Sequence, residues 1–496
     1  MHEKPCVSVW LPGWFLLGVL LGGSVAAAEK ESHDEPARRP NVLFIAIDDL
    51  RNDLGCLGIT HAKTPSLDAF AATARVFSHH YVHVPTCGAS RCALLRGQYP
   101  THAVHLSNNA IKQTQKDWIR RSLPGWFQQN DYRTLSIGKI SHYPGNLTGK
   151  DWNEGPQEMP GVWERSWIPN SPWPHSQAMM HGYGNGLARR PGKSHPFEAF
   201  DGPDEAYPDA WVAGDAIQTL DELQSGEQPW FFAVGFFKPH LPFAAPKRWW
   251  DLHDADNLAA PAVTTKPEGI SGWHNSGEFR GNYGHDYEDV NGQITHRDPA
   301  SDAEYAKTLR HGYAAAVSYV DAQVGRLLSK LDQVDPHRKT IVVIWSDHGF
   351  LLGEHAIWGK HCLYENAVRS PLMIRLPGLQ KAGEISESIV QTVDVFPTLT
   401  DLCGLPKPAE LDGQSLRPLL TDPQHPWERP AFAFWTGNRR SIRTERWRLI
   451  VHPGRDTKAQ TADAFELFDM QSDPNESTNV AIQHPEIISE LIAELP

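Results

Sequence analysis

Four apolar runs, each closed by charged or metal-ligating residues, constrain what this chain can fold into. VLFIAI (42 to 47) runs into Asp48 and Asp49, and TLSI (134 to 137) runs into Gly138, Lys139 and then His142. WFFAVGFF (230 to 237) runs into Lys238 and His240, and TIVVIWS (340 to 346) runs into Asp347 and His348. Continuous Val, Ile and Phe runs suit strands buried on both faces, with helices between them as crossovers. The expected class is therefore α/β, one large sheet between helices. In open sheets of this kind ligands bind beyond the carboxyl ends of the strands. Four strands would thus deliver their acids, lysines and histidines to one rim.

Helical stretches fill the gaps. TPSLDAFAATARVF (64 to 77) opens with Thr-Pro, a helix start signal, and reads as helix throughout. DAWVAGDAIQTLDELQ follows from 209 and DAEYAKTLRHGYAAAVSYVDAQVGRLLSKL from 302. Residues 250 to 300, rich in Gly, Asn, His and Asp without periodicity, read as a long surface excursion. Pro423, Pro426 and Pro430 mark a boundary. Beyond it FAFWT, RSIRTERWRLIVH and FELFDM suggest an antiparallel sheet, closed by a helix over HPEIISELIAEL. The expected organisation is a leader over 1 to 28, a large domain over 29 to 420 and a C-terminal subdomain over 421 to 496.

The leader has an apolar core after Lys4 and ends in Ala26, Ala27 and Ala28, the pattern of a cleaved signal peptide. A single-span anchor is the rival reading, but Pro12 and the glycines at 13, 18, 22 and 23 interrupt a run of marginal length. No later stretch is apolar enough to span a bilayer. An exported chain is expected, periplasmic or secreted, or lysosomal in an animal, with no stable membrane insertion after cleavage. The net charge of -13 argues against nonspecific nucleic-acid binding, so an anionic substrate needs a local basic pocket. After cleavage Cys56, Cys87, Cys92, Cys362 and Cys403 remain. That odd count leaves at least one without an internal partner, and the density is too low for a disulfide scaffold.

Adjacent acids at a strand end offer oxygen ligands to a hard cation such as Ca²⁺ or Mg²⁺. Asp48-Asp49 alone reads equally as a solvated strand end, but Asp347-His348 repeats the pattern. The stretch TCGASRCALLRG (86 to 97) leaves three readings of Cys87: a buried or disulfide-bonded cysteine, a thiolate nucleophile, or a precursor to something else.

The third reading comes from the spacing. Cys87, Ala89, Ser90, Arg91, the Leu94-Leu95 pair and Gly97 resemble the C-x-P/A-S-R signature of type I sulfatases. NVLFIAIDDLR, GKISH, FFAVGFFKPHLPF, SDHGFLLGEHAIWGK and ELFDMQSDPNESTNVA follow in sulfatase order. KPHLPF, SYVDAQVGRLLSKLD and VFPTLTDLCGL are most similar to the iduronate-2-sulfatase branch. Two departures stand out: Ala89 replaces the commoner Pro, and Arg96 sits where Thr is usual.

The resemblance implies an alkaline-phosphatase-like fold and a Cys87 oxidised by a formylglycine-generating enzyme to formylglycine (3-oxoalanine). It implies that Asp48, Asp49, Asp347 and His348 hold a divalent ion, calcium, with the modified Cys87 as a further ligand. Arg91 and Lys139 would steady the hydrated aldehyde, His142 would act as base toward its second hydroxyl, and His240 and Lys360 would face the sulfate and its leaving oxygen. The chemistry is coherent. A sulfate monoester transition state gathers negative charge on the leaving oxygen, so fixed cations and a proton donor are the useful groups. A plain serine would end as a stable sulfate ester, whereas a gem-diol can expel sulfate by C–O cleavage.

The implied activity is hydrolysis of sulfate esters on a sulfated oligo- or polysaccharide, with the 2-O-sulfate of a uronic acid as the expected target. Lys238, Arg189, Arg190 and Lys193 are candidate contacts for the uronate carboxylate, and Trp249, Trp250 and Trp273 are either sugar-stacking or core. A phosphonate or phosphate ester hydrolase of the same superfamily, and a sulfatase for another polysaccharide, are the alternatives. A glycan-binding protein with a dead site would lack a nucleophile or ligand, and none is lost here.

Overall fold

The computed structural model describes residues 39–143, 157–169, 173, 178–267, 274–337, 339–452 and 465–496. The expected leader and Trp273 lie outside these residues. The chain forms strands β1 (Asn41–Ile47), β2 (Arg75–Tyr81), β3 (Arg133–Gly138), β4 (Arg165–Trp167), β5 (Trp230–Phe236), β6 (Thr340–Ser346), β7 (Leu372–Arg375) and β8 (Ile385–Gln391). They assemble in the order β8-β2-β7-β6-β1-β5-β3-β4. β7 pairs antiparallel with both neighbours and the other described pairings are parallel. The sheet is therefore mixed, with β1 central.

The period of two along β1 explains the layers. Leu43, Ile45 and Ile47 point into one apolar layer together with Val212, Ala216 and Leu220 of helix α2 and Leu309, Val320 and Val324 of helix α3. Val42, Phe44 and Ala46 point into the other, with Cys92, Leu94 and Leu95 of helix α1. These helices are α1 (Cys87–Arg96), α2 (Pro208–Gln224) and α3 (Ala303–Val334). A strand buried on both faces has no polar positions to spare, which is why its sequence is an unbroken apolar run.

The four strands expected from sequence are present, but the helix expected over 64 to 77 is not continuous. It stops at Ala71, and Arg75–Tyr81 is strand β2. Leu67, Phe70, Ala71 and Ala74 keep a helical spacing up to that point, yet Val76 and Phe77 pair with both β7 and β8. Ladder formation on two edges outweighs local propensity there.

The region 250 to 300 is not purely surface. Its short helix Gly277–Asn282 and the residues around it bury His274, Phe279, Tyr283 and His285. His274 Nε2 lies 2.8 Å and His452 Nε2 2.7 Å from Glu466 Oε1, while the Tyr364 hydroxyl donates to Glu466 Oε2 at 3.1 Å. This knot pins the excursion to the C-terminal sheet.

That sheet is the antiparallel meander β9 (Ala431–Trp435), β10 (Arg439–Arg443), β11 (Trp447–Val451) and β12 (Phe465–Asp469), as expected. Helix α4 (Pro485–Glu494) covers it with Ile488 and Leu491 against Leu449 and Leu467. No helix among the described residues is long and apolar enough to cross a membrane. Cys56, Cys87, Cys92, Cys362 and Cys403 are all unpaired.

Candidate active site

Register brings the chemistry together. Ile47 lies opposite Phe236 on one side and Ser346 on the other, and Gly138 lies opposite Gly235. The carboxyl ends of β1, β3, β5 and β6 are therefore level, and Asp48-Asp49, Lys139, Lys238-His240 and Asp347-His348 leave from one edge. Gly138 has φ of 74°, and a Cβ there would lie 2.1 Å from the Gly235 carbonyl oxygen. Only glycine lets the strands touch so closely before the chain turns to present Lys139.

Asp49 has φ of 63°, a left-handed conformation that a non-glycine residue adopts at a cost of about 1 kcal/mol or more. Its N–H donates to Asp347 Oδ1 at 3.0 Å, and its carbonyl accepts from the Tyr313 hydroxyl at 2.8 Å. These contacts hold the strained residue in place.

Cys87 is the first residue of α1 and is buried. Its Sγ lies 3.3 Å from His348 Nε2, 3.4 Å from Lys360 Nζ and 3.8 Å from Asp49 Oδ1. One turn later the Arg91 guanidinium donates to Asp347 Oδ2 at 2.9 Å and to Asp48 Oδ1 at 3.2 Å. Lys139 Nζ donates to the other oxygen of Asp48. Lys360 Nζ lies 2.8 Å from both oxygens of Asp49. His142 is buried, and its Nδ1 has no hydrogen-bond partner among the described residues.

Burial opposes ionisation of Asp48, but Lys139, His240 and Arg91 outweigh it and hold that carboxyl well below its usual range. Burial pushes Asp49 well above; Lys360 resists, while Asp48, Glu278 and Asp347 add to the rise. Burial, then Asp48, raises Asp347 to about 6. Burial and Asp48 also push the Cys87 thiol well above its ordinary value. Both effects oppose a thiolate at residue 87, while Lys139 and Lys360 favour it.

The donor set fits a hard divalent cation. Three buried carboxylates converge, and the crowding that raises Asp49 and Asp347 would be relieved by positive charge. His348 Nδ1 lies 3.0 Å from the Gly349 carbonyl, which fixes the proton on Nδ1 and leaves Nε2 with a free lone pair facing the cluster. Ligand atoms of Cys87, Asp347 and His348 lie within 4.8 Å of one another, as do those of Asp48, Asp49, Cys87 and His240.

The rim's other groups sort clearly. His240 Nδ1 sits 2.7 Å from the Leu241 carbonyl and Nε2 faces Glu278 Oε1 at 3.3 Å. Lys238 is not available to a substrate: it is buried and its ammonium donates to the carbonyls of Pro242 at 2.7 Å and His240 at 3.2 Å. Arg189 stands over Tyr283, with Nη1 3.4 Å from both its hydroxyl and His181 Nδ1, and the His181 ring is 5.0 Å from that of His240. Arg190 and Lys193 are exposed. Trp250 packs in the core, and the Trp249 indole donates to Asp204 Oδ1 at 2.7 Å, so both are structural.

Glu278 was not foreseen. Its carboxylate bridges His240 and Lys360 Nζ, the latter at 3.3 Å. Burial opposes its ionisation, but Lys360 and His240 hold it well below the usual range. One acid in a Gly- and His-rich stretch carries no sequence signal for such a position.

A family model described as Sulfatase matches residues 40–405, and one described as N-sulphoglucosamine sulphohydrolase, C-terminal, matches 353–496. The mouse iduronate 2-sulfatase is 28% identical over 561 aligned positions, covering 97% of this chain and 97% of that protein. Among solved structures, the phosphonate monoester hydrolase of Agrobacterium radiobacter superposes with a TM-score of 0.70 at 22% identity, covering 92% of this chain and 95% of that one. A structure described as a 2-O GAG sulfatase superposes with a TM-score of 0.62 at 21% identity, covering 92% of this chain and 90% of that one. The matched model spans the whole strand rim and its carboxylates, and the chain belongs to the sulfatase family.

Proposed function

We propose that this protein hydrolyses the sulfate ester of a sulfated sugar, a 2-O-sulfated uronic acid at a chain end. The observation that carries the reading is the convergence on one buried rim of Cys87, three carboxylates, His348 and the cations Lys139, Lys360 and Arg91. In this reading Cys87 is the precursor of formylglycine, made by a formylglycine-generating enzyme. The hydrated aldehyde supplies an oxygen nucleophile, and a calcium ion supplies the positive charge that makes it acidic near neutral pH. Asp48, Asp49, Asp347, His348 and the modified residue 87 would hold that ion.

The chain's own groups divide the remaining work. Arg91 and Lys139 fix the carboxylates and lend positive charge to residue 87. His142 is held well below the ordinary histidine range by burial and Lys139, so its imidazole is neutral and can take a proton at its unpartnered Nδ1. Lys360 faces the sulfuryl oxygens. His240 Nε2 gives a proton to the leaving oxygen as the S–O bond breaks. Residues 29–420 would form the catalytic domain and 421–496 its C-terminal subdomain, and the mature protein would be exported after loss of its leader.

The similarity to the mouse iduronate 2-sulfatase along nearly the full length of both chains supports the substrate class. The test is to express the protein with the maturation enzyme and follow the peptide containing Cys87 by mass spectrometry. The expected result is the mass loss of CH₂SH becoming CHO, together with sulfate release from a sulfated uronic acid and far weaker turnover of matched phosphate and phosphonate esters. Full activity with an unmodified thiol at 87 would sink the mechanism.

A further inference from the structure

A cleft of about 510 Å³ lies between helix α3, the loop that follows β1 and residues 258–263 of the excursion. Its volume is in the range of small-molecule sites. Neither Cys87, the rim carboxylates nor Lys360 lines it. Tyr313 stands between the two places: its ring is part of the cleft wall, and its hydroxyl donates to the Asp49 carbonyl at 2.8 Å.

Charge at one end of the cleft is unbalanced. Arg51 engages both nearby acids, Asp53 at 3.0 Å and Glu354 at 2.9 Å. That leaves Arg310 and Lys63, for which the described residues supply neither a side-chain hydrogen bond nor an ion pair. Burial pushes the Arg310 guanidinium below its ordinary value, and Glu354 resists only in part. Beside them His253 Nε2 lies 2.9 Å from the Ser318 hydroxyl, which donates to the Lys63 carbonyl at 2.8 Å. Burial, then His311, Lys63 and His61, push that imidazole down to about 4. Basic groups crowd together here without a counter-charge, in a chain whose net charge is -13. An anion is the ligand that such a field attracts.

The rest of the lining narrows the class of anion. Asn52, Asn366 and Asn475 line the cleft, and no hydrogen bond joins any of their amides to the described residues. Both amide atoms of Asn52 are buried. Buried polar groups are normally paired, so unused donors and acceptors suit a ligand rich in hydroxyls. The facing wall, LAAPAV over 258–263, offers apolar surface to the C–H face of a ring. A fatty chain would leave the amides idle, and inorganic sulfate would leave the wall uncovered.

We propose that this cleft is a second glycan site that takes an anionic sugar, with its sulfate or carboxylate on Arg310 and Lys63, its hydroxyls on the asparagine amides and its ring against the 258–263 wall. The site only binds, and it goes beyond the reading of the rim as the place of cleavage. A second grip of this kind raises the local concentration of sulfated chains at the enzyme.

The experiment uses the full chain with its Cys87 thiol unmodified and follows hydrogen exchange. The probes are a sulfated uronic acid disaccharide, its unsulfated counterpart, a neutral disaccharide and inorganic sulfate. The sulfated disaccharide should slow exchange over 57–63 and 258–263. Its half-saturating concentration should rise about 10–100-fold in Arg310→Gln, the worth of one charge-assisted hydrogen bond. Lys63 is exposed, so Lys63→Gln keeps the fold and should shift it in the same direction. Equal protection by the unsulfated uronate would assign the contact to the carboxylate, and its loss would assign it to the sulfate; either supports the site. Turnover of a small aryl sulfate by the matured enzyme should be the same in parent and variants. Protection that is absent, that both variants leave unmoved, or that the neutral disaccharide gives equally would overturn the proposal. Inorganic sulfate acting at the same concentration as the disaccharide would make this an inorganic-anion site only, and slower aryl sulfate turnover in the variants would make the cleft part of the rim; each overturns a second glycan site. Because the exchange measurement needs no turnover, failure here leaves the sulfatase reading standing, and the reverse holds.

Discussion

Lys360 Nζ lies 2.8 Å from both carboxylate oxygens of Asp49 and 3.4 Å from Cys87 Sγ. One ammonium thus neutralises a candidate metal ligand and touches the candidate nucleophile position. Removing it from a buried pair leaves Asp49 exposed to its neighbours' repulsion, a cost of about 3–5 kcal/mol. Lys360→Met should therefore lower the melting temperature of the metal-free protein, and calcium should recover most of that loss by taking over Asp49. kcat should fall about 10²–10³-fold even in the recovered protein, because a cation facing the sulfuryl group is gone. An equal loss of stability with and without calcium would show that the ion and Lys360 do not share Asp49.

The ion itself can be tested without turnover. A ligand that binds only the folded state stabilises it by about 2.7 kcal/mol at 100 times its Kd. Chelation followed by calcium addition should raise the melting temperature. Asp49→Asn should abolish that rise while keeping the fold, since Asn tolerates the left-handed backbone that residue 49 adopts. A rise that survives Asp49→Asn would move the ion elsewhere.

Much of this site was legible because strand ends announce themselves. A doubly buried strand must be apolar to its last residue, so the change at Ile47, Gly138, Phe237 and Ser346 fell at the rim itself. Lys360 and Cys87 carry no such boundary and became readable only through the resemblance of the stretches around them. Strand β2 was lost because its approach, Leu67 to Ala74, keeps helical spacing, and its pairing partners lie some 300 residues away, at Leu372–Ile374 and Ile385–Gln391. Glu278 was lost for a related reason. Its place beside His240 depends on burial of Phe279 and Tyr283, contacts set by tertiary packing and not by any local pattern.

A buried carboxyl near the rim gives a pH-dependent prediction. Burial raises Glu158 to about 7, while it accepts the Tyr143 N–H at 2.7 Å. The unfolded value is about 4.3. Because the folded value is the higher one, the folded protein gains from this group below pH 4.3 and loses that gain as pH rises to 7. The full difference is roughly 4 kcal/mol. Glu158→Gln keeps an acceptor and removes the ionisation, so it should be more stable than the parent above pH 7 and nearly equal to it at pH 4. Denaturant unfolding at both values checks this; a stability gap that does not change with pH would mean that Glu158 is ionised in the fold.

Arg189 is the one candidate for the uronate carboxylate that faces the site among those named from sequence, since Lys238 is tied to backbone carbonyls and Arg190 and Lys193 are exposed. It is half-buried over Tyr283, one imidazole away from His240, and no carboxylate of the described residues pairs with it. A charge-assisted hydrogen bond from a guanidinium to a carboxylate contributes about 1.5–3 kcal/mol, equivalent to about 10–100-fold in kcat/KM. Arg189→Gln should therefore lose that factor on 2-O-sulfated uronic acid oligosaccharides while barely changing turnover of 6-O-sulfated hexosamine or sulfated galactose. Glu278 sharpens the comparison, because its negative charge beside Lys360 would repel a uronate carboxylate placed on the wrong side of the leaving oxygen. On the uronate reading, the substrate's carboxylate would lie toward Arg189. If the parent enzyme prefers the neutral or amino sugar, or if Arg189→Gln loses equally on all three, the uronate assignment fails while the sulfatase chemistry stands.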